Sequence, residues 1–354
     1  MLIGCFLFTS GFTYQLALPG RKISFPEDHF SHPDFKTEWW YYTGHLKTES
    51  GRLYGYQVTF FRFGLRDRQK RESKDRPVLF TDLYMAHFAL SDIERKKFLF
   101  RERINRGYSN RAGAATDRYL VWNEDWKVEG DEKLHRIEIA DRSASLKLRL
   151  APLKAPILHG ENGLSRKGEG EGRASYYYSI TRMKTEGELT MGGKREKVTG
   201  LSWMDHEFGS NQLGEDQVGW DWFSIQLDND TEIMLYLMRR QDGSADPYSS
   251  GTLVYANGTT KKLALTAFRI EVLERWKSPK SGGFYPIKWK VTLPEQRIDL
   301  DIDPVFNAQE LITNRSTRVT YWEGAVRVSG MVRGKPIAGR GYVEMTGYVE
   351  KLRL

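Results

Sequence analysis

The feature that most constrains this chain is a series of short aromatic segments in which bulky and polar residues alternate. Alternation with a period of two is typical of a strand with one buried face. In the segment Arg52 to Phe63 it places Tyr54, Tyr56, Val58 and Phe60 on one face. The segment Thr317 to Val332 behaves in the same way, and Gly324 within it predicts a bulge or bend.

Turn signals separate these segments, whereas stretches of helical period are scarce. Hairpin turns are predicted at Glu49-Ser50-Gly51, Met191-Gly192-Gly193, Asp228-Asn229-Asp230 and Asn257-Gly258. Short strands joined by tight turns favour antiparallel sheets that close on themselves. We therefore expect an all-β fold with two successive barrel-like units around space for an apolar ligand.

A faint internal repeat supports the two units. Glu38 to Arg62 and Trp220 to Arg239 each contain an aromatic strand, a polar turn and a second strand ending in arginine. The 354 residues are also enough for two domains. We predict an N-terminal segment 1–23, a first domain 24–207 and a second domain 208–354. The predicted junction is the polar stretch from Phe208 to Gln217, and Pro152 to Gly172 reads as a long loop that covers a site.

Charge gives little indication of a polyanionic partner. The net charge is +8, but the basic residues are spread along the whole length. The densest run, Arg66 to Arg76, also contains Asp67, Glu72 and Asp75, so a solvated loop is favoured over a patch for phosphates or an anionic membrane. Nucleic acid is not an expected partner.

The cysteine Cys5 excludes an internal disulfide because the chain has only one cysteine. Leu2-Ile3-Gly4-Cys5 has the form of a lipobox, although only four residues precede the cysteine. We expect a lipoprotein or otherwise exported protein of the cell envelope, periplasmic or lipid-anchored through Cys5. The alternatives are a buried N-terminal strand and a cytoplasmic protein. The apolar stretch Met1 to Phe12 is too short to span a bilayer.

The segment Gly200 to Ser210 contains the densest set of reactive groups. As a strand, it places Trp203, Asp205 and Glu207 on one face and His206 on the other. Two carboxyl groups beside a tryptophan would keep one acid protonated for proton donation. The alternative is a structural strand end whose acids accept hydrogen bonds from loop amides.

Two aromatic clusters accompany this acidic strand. Glu38 to His45 carries aromatic rings on both faces, so one face lines an interior and the other packs against another part of the molecule. In Trp220-Asp221-Trp222 the aspartate points away from the flanking tryptophans. Motifs of phosphate-binding loops, serine hydrolases and zinc sites are absent, so we expect no metal and no cofactor.

The chain resembles the lipocalin-like proteins related to carotenoid 1,2-hydratase, also called hydroxyneurosporene synthase, and to AttH. The resemblance is carried by motifs that extend over nearly the whole chain. They are His32-Pro33-Asp34, Thr37 to Leu46, Gln57 to Arg62, Leu158-His159-Gly160, Ser165 to Gly168, Ala174 to Ser179, Trp203 to Glu207, Trp322-Glu323-Gly324 and Gly339 to Tyr348. It implies two tandem lipocalin-like antiparallel β-barrels.

The resemblance also implies an activity. The hydratases protonate a terminal isoprenoid double bond without a cofactor, and water captures the tertiary cation. The implied catalytic residues are Asp205, His206, Asp221 and Glu207, and Glu207-Phe208 stands where the hydratases have Asn-Trp. The implied ligand-binding residues are Trp39, Trp40, Tyr41, His45, Tyr176, Tyr178, Trp203, Trp220 and Trp222. Alternatives are a non-catalytic envelope lipid carrier that works with an ABC-type exporter, and a secreted hydrolase.

Overall fold

The computed structural model describes residues 14–65, 82–107 and 110–352. The predictions for Cys5 and for Arg66 to Arg76 fall outside these ranges. The described chain is built from antiparallel strands in two sheets. Its short 3₁₀ turns are Glu27–His29 and Leu265–Ala267. None of the helical segments in the described ranges has the length and apolar character of a membrane-spanning helix.

The strands of the first sheet are β1 (Thr37–Thr48), β2 (Leu53–Gly64), β3 (Asp82–Asp92), β4 (Lys97–Arg106), β5 (Ala112–Ala114), β6 (Tyr119–Asn123), β7 (Trp126–Gly130), β8 (His135–Ala140), β9 (Ala144–Pro152), β10 (Ile157–Leu158), β11 (Leu164–Arg166), β12 (Ala174–Met191) and β13 (Lys194–Gly209). Those of the second are β14 (Gln217–Leu227), β15 (Glu232–Arg240), β16 (Ser250–Val254), β17 (Thr260–Ala264), β18 (Arg269–Lys277), β19 (Phe284–Leu293), β20 (Ile298–Pro304), β21 (Glu310–Ile312), β22 (Thr320–Val332) and β23 (Lys335–Met345).

The first sheet forms the N-terminal barrel. Its strand order is β4-β3-β2-β1-β13-β12-β9-β8-β7-β6-β5, and β10 and β11 pair with β12. Alternate residues of β1 and β2 point inward, so Trp40, Tyr42, Tyr56 and Val58 are buried in one core. Side chains bridge the two ends of the sheet, where Asn105 of β4 donates a 2.7 Å hydrogen bond to the Asn123 side chain of β6. The sheet is therefore curved around its own apolar interior.

The second sheet forms the C-terminal barrel. Its strand order is β17-β16-β15-β14-β23-β22-β20-β19-β18, and β21 pairs with β22. Phe223, Trp289 and Trp322 are buried in its separate core. In each barrel the first two strands form a hairpin, and the last long strand pairs with the first. The all-β fold of tandem lipocalin-like barrels predicted from the sequence is confirmed.

The local predictions have mixed outcomes. All four predicted hairpin turns lie between paired neighbouring strands. The bulge expected at Gly324 is wrong, since β22 and β23 keep a continuous register through it. Gly324 instead provides space, because a side chain there would overlap the Trp322 ring and the Gln309 amide. The stretch from Pro152 to Gly172 is not a plain loop, since it contains β10 and β11.

The barrels pack against each other through the outer faces of their central strands. The connection between the sheets is residues 210–216, which falls within the predicted junction, while the predicted domain limits stay predictions. The buried Glu232 of the C-terminal barrel accepts hydrogen bonds of 2.5 Å from Arg182 and 2.6 Å from Lys154 of the N-terminal barrel. His45 donates a 2.9 Å hydrogen bond to the carbonyl oxygen of Gly341. These contacts hold the two barrels in one fixed arrangement.

Candidate functional site

A cavity of about 360 Å³ lies between the two barrels. Its walls come from β1, β2, β3, β12 and β13 on one side and from β14, β15, β22 and β23 on the other. The barrel interiors are instead filled by their own aromatic and aliphatic side chains. The predicted apolar space therefore exists, and it lies between the units rather than within one of them.

The N-terminal wall of the cavity consists of two rows of side chains that cross five neighbouring strands. Antiparallel pairing places residues directly opposite each other on the same face of the sheet. The first row is Met85, Phe61, Trp39, Glu207 and Tyr177. The second row is His87, Thr59, Tyr41 and Asp205, and Ser179, which faces Asp205 in the register, lies outside the cavity lining. The register thus brings the predicted acids of β13 beside aromatic rings from β1 and β12.

The C-terminal wall has a similar row across four strands. The row is Tyr236, Trp222, Glu344 and Glu323. Trp220 and Met238 form a second pair beside it. Both walls therefore combine apolar rings with carboxyl groups. All of these C-terminal residues line the cavity.

Asp205 is buried at the cavity wall and accepts hydrogen bonds from three neighbours. Tyr177 donates at 2.6 Å, the Trp203 indole donates at 2.6 Å, and the Ser179 hydroxyl also donates. Burial raises the pKa of Asp205 to about 7, even though these three donors favour the carboxylate. Near neutral pH a large fraction of Asp205 is therefore a neutral carboxylic acid able to donate a proton.

Glu207 lies one step along the same face and has a different environment. It accepts a hydrogen bond from Ser175 and forms an ion pair of 3.1 Å with Lys167. The ammonium of Lys167 also lies 4.2 Å from the ring centre of Tyr236. Burial lowers the pKa of Lys167, but Glu207 more than compensates, so that the net shift is upward. Lys167 therefore remains charged and partners Glu207.

Glu323 and Glu344 form a second acidic group that the sequence analysis did not single out. They face each other across β22 and β23. The Trp220 indole donates a 3.2 Å hydrogen bond to Glu344. Burial raises the pKa of Glu344 to about 7. Burial, followed by repulsion from Glu344, raises the pKa of Glu323 well above its ordinary value.

The other two predicted catalytic residues lie away from the cavity. His206 points into the N-terminal barrel, where its Nε2 lies 3.0 Å from the Glu38 carboxylate and its ring stacks on Trp40. Asp221 points into one end of the C-terminal barrel, where Arg239 and Tyr348 each donate to it at 2.9 Å. The predicted roles of both residues are untested, but they do not converge with Asp205 on one space.

The nine predicted ligand-binding residues also divide between locations. Four of them line the cavity: Trp39, Tyr41, Trp220 and Trp222. Trp203 lies behind the wall and donates to Asp205, and His45 packs between the barrels against Tyr342. Trp40 and Tyr178 face the N-terminal barrel interior, and Tyr176 donates a 2.6 Å hydrogen bond to the carbonyl oxygen of Leu18. Alternation along each strand explains this division.

Several cavity residues were missed although the sequence contained a signal for them. Phe61 and Thr59 occupy the opposite face of the β2 alternation from Tyr56 and Val58. Glu323, Glu344 and Lys167 all lie within the motifs that carry the family resemblance. Membership of those motifs is therefore a better pointer to the cavity than aromatic character alone.

The described residues include one group with metal-ligand chemistry. Ligand atoms of His32, Glu38 and His206 lie within 4.8 Å of one another. Glu38 is also held by Arg62, whose Nε donates to it at 3.0 Å. Burial opposes ionisation of Glu38, but hydrogen bonds from His206 and His32 lower its pKa well below the ordinary value. Because Arg62 already supplies a buried positive charge, this group fits an internal ion-pair network better than a cation site.

Comparison with solved structures supports the architecture. An AttH protein of Nitrosomonas europaea is 34% identical, with a TM-score of 0.84, and the alignment covers 95% of this chain and 100% of that one. Kievitone hydratase of Nectria haematococca is 17% identical, with a TM-score of 0.70 and 94% of each chain covered. CghA with Sch210972 is 11% identical, with a TM-score of 0.53 and 96% and 97% covered. The last two similarities concern the fold alone.

No curated protein matches the chain by sequence. The AttH-like family model, in contrast, matches residues 16–348, which include all strands of both barrels. This chain therefore belongs to the AttH-like family.

Proposed function

We propose that this protein binds an apolar, unsaturated ligand between its barrels and adds water across a carbon–carbon double bond, with Asp205 as proton donor. The observation that carries the proposal is the environment of Asp205. Its carboxyl group is buried at the wall of an apolar cavity, and its pKa is raised to about 7. Protonation of an alkene requires such a neutral acid, held out of water and close to the ligand.

The aromatic walls suit the charge that forms in the reaction. Transfer of the Asp205 proton to an alkene carbon breaks the carboxyl O–H bond and leaves a tertiary carbocation and a carboxylate. Trp39, Tyr41 and Trp222 line the cavity beside Asp205, and ring faces stabilise a desolvated cation by about 2 kcal/mol. Water then forms the C–O bond and gives its proton to a carboxylate of the cavity. The net reaction is alkene plus water to alcohol, without a cofactor.

The size of the cavity limits the ligand. A volume of about 360 Å³ is at the lower end of the range for small-molecule sites. It suits a short isoprenoid or one end of an acyclic carotenoid. Phe61, Met85 and Met238 contribute apolar surface to this space. The proposed substrate class is therefore a branched, acyclic isoprenoid with a terminal double bond.

The test uses the purified full chain, lycopene in detergent and water enriched in oxygen-18. We expect a tertiary alcohol carrying oxygen-18, detected by mass spectrometry. Asp205→Asn should reduce its formation by about 10²- to 10⁴-fold, because an amide cannot protonate the alkene. The matched control is Asp117→Asn, since that aspartate is exposed with 74% of its side-chain surface accessible. Absence of labelled alcohol from the wild-type reaction, or undiminished formation by Asp205→Asn, would refute the proposal.

A non-catalytic carrier is the competing function. It requires the apolar lining of the cavity but no neutral acid. Organic extraction of the purified protein followed by mass spectrometry distinguishes the two functions. A carrier returns a bound isoprenoid or lipid unchanged in labelled water, and Asp205→Asn retains the same amount of it.

A further inference from the structure

The two glutamates of the C-terminal wall are placed so that they cannot both be ionised without a large cost. Glu323 and Glu344 are directly opposite residues of β22 and β23, and both line the cavity. Directly opposite side chains in an antiparallel pair have Cβ atoms about 4.5–5.5 Å apart. Two carboxylates at that distance in a buried site repel strongly, so one of them retains a proton.

Two polar atoms at this pair lack a hydrogen bond of good geometry. The Oε1 atom of Glu323 and the hydroxyl of Tyr41 are buried and make no such bond with any described residue, although the two groups lie close enough to interact with each other. Glu323 is 2% exposed and Tyr41 is 6% exposed. A buried polar atom left unpaired costs about 1–3 kcal/mol, so these atoms indicate a site for a small polar partner. The two atoms belong to opposite walls of the cavity, and a partner held by both would bridge the barrels.

We propose that Glu323 and Glu344 share a proton and, together with Tyr41, hold the water that attacks the ligand and then the hydroxyl group of the product. This inference rests on the proposed function. Glu344 takes a proton from the water molecule while the water oxygen bonds to the cationic carbon. One O–H bond of the water breaks and one C–O bond forms. The pair then carries one more proton, which it returns to solvent, and Asp205 regains a proton from solvent.

The protonation of the pair suits these roles. Burial raises the pKa of Glu344 to about 7, so near neutral pH a large fraction is a carboxylate able to accept a proton. Burial and the charge of Glu344 raise the pKa of Glu323 well above its ordinary value, so we assign to Glu323 the proton that the facing pair retains. A protonated Glu323 donates a hydrogen bond to the water oxygen and leaves a lone pair for the bond to carbon.

The same groups restrict the ligand to neutral molecules. A fatty acid would place a further carboxylate beside the negative charge that Glu323 and Glu344 already share. Lys167 cannot balance it, because its ammonium is already paired with Glu207 at 3.1 Å. A hydroxyl group, in contrast, satisfies both unpaired atoms. The inferred product class is a neutral tertiary alcohol.

Infrared spectroscopy tests whether the proton is shared. In the Asp205→Asn background, which removes the other neutral acid of the cavity, we expect a carboxylic-acid carbonyl band at pH 8 that disappears when Glu323→Gln is added. In Glu344→Gln the remaining acid should ionise at lower pH, because the repulsion from Glu344 is gone. Glu274→Gln, on the exposed face of β18, is the control and should leave the band unchanged. A band that is insensitive to both cavity variants would overturn the inference.

Binding of a matched alkene and alcohol tests the water site. The probes are 2,6-dimethyl-2-heptene and 2,6-dimethyl-2-heptanol, with tryptophan fluorescence as the readout. Tyr41→Phe and Glu323→Leu should each weaken alcohol binding about tenfold and change alkene binding less than twofold. Equal effects on both probes would overturn the inference while leaving the proposed function intact. Failure of the wild type to bind either probe would count against the proposed function. In that case the infrared result still decides whether Glu323 and Glu344 share a proton.

Discussion

The indole nitrogen of Trp222 donates a 3.0 Å hydrogen bond to the hydroxyl of Tyr177 across the junction of the two barrels. Tyr177 in turn donates its own proton to Asp205 at 2.6 Å. A residue of the C-terminal barrel thereby influences an acid of the N-terminal barrel. The relative position of the barrels and the acidity of Asp205 are coupled through this chain of hydrogen bonds.

Removal of the Tyr177 hydroxyl should make Asp205 a weaker acid. Tyr177→Phe deletes one of the three donors that stabilise the carboxylate, so the pKa of Asp205 should rise above about 7. The high-pH limb of kcat/KM should then move upward by about one pH unit. Tyr248→Phe is the control, because that tyrosine contacts Arg166 outside the cavity. If the high-pH limb of kcat/KM does not move in Tyr177→Phe, the Tyr177 hydroxyl does not determine the pKa of Asp205.

Activity should depend on pH in the direction set by a protonated acid. Asp205 donates a proton only while it is neutral, and its pKa is about 7. Hydration should therefore decline about tenfold per pH unit above pH 7. Replacement by asparagine should reduce the rate by about 10²- to 10⁴-fold at pH 6. The measurement is kcat/KM from pH 5 to 9, and a rate that increases steadily with pH would contradict the assigned role.

The raised pKa of Asp205 should also make the free energy of unfolding depend on pH. In the unfolded chain Asp205 ionises near 3.8, and in the folded protein near 7. The folded state therefore holds more protons between these values, and its free energy of unfolding decreases as pH rises through that window. Asp205→Asn should remove this decrease and stabilise the protein at pH 8, with an upper limit of about 4 kcal/mol. Urea unfolding at pH 5 and pH 8 measures the difference.

Loss of Arg62 should destabilise the N-terminal barrel. Arg62 is fully buried, and it donates to Glu38 at 3.0 Å and to the carbonyl oxygen of Phe35 at 2.6 Å. Arg62→Met leaves the Glu38 carboxylate without its buried cation, which costs about 3–5 kcal/mol. Arg118→Met, on an exposed pair with Asp117, should cost less than about 1 kcal/mol. Urea unfolding measures the loss of unfolding free energy in both variants. Similar losses would contradict the stabilising role of the buried Arg62.

The ion pairs that join the barrels should differ in strength according to burial. Glu232→Leu removes the buried carboxylate that Arg182 and Lys154 share and leaves Arg182 only its ion pair with the exposed Asp230, so we expect a loss of about 3–5 kcal/mol. Amide hydrogen exchange in β14 and β15 should become faster. Glu161 and Lys262 form an exposed pair between the same barrels. Glu161→Leu should therefore change stability by less than about 1 kcal/mol. Equal effects would mean that burial does not determine the strength of these contacts.

Much of the site could be predicted from local pattern. The alternation along Gly200 to Ser210 placed Asp205 and Glu207 on the face opposite His206, and the structure has that arrangement. The prediction that the two aromatic faces of Glu38 to His45 have different surroundings was also correct. One face lies in the N-terminal core, and the other faces the second barrel. Strand periodicity is a property of the backbone, so it needs no knowledge of distant residues.

Strand periodicity could not predict which distant residues pack against each face of a strand. Glu323 and Glu344 are distant from Asp205 in the chain and reach its cavity only because β22 and β23 pack against the outer face of β13 and its neighbours. Asp221 was named with Asp205 as an implied catalytic residue, but its side chain lies on the opposite side of its own sheet from the cavity. The sign of a pKa shift depends on burial, and burial depends on which sheet covers which face.

The amino-acid sequence by itself determined the all-β fold, the two units, the hairpins and the family, because alternation, turn chemistry and motifs are local. The tertiary structure decided that the aromatic strands line a cavity between the barrels as well as their interiors. It also decided which acids are desolvated there. The physical reason is that the packing of two outer sheet faces removes water from groups that are separated by more than a hundred residues of chain.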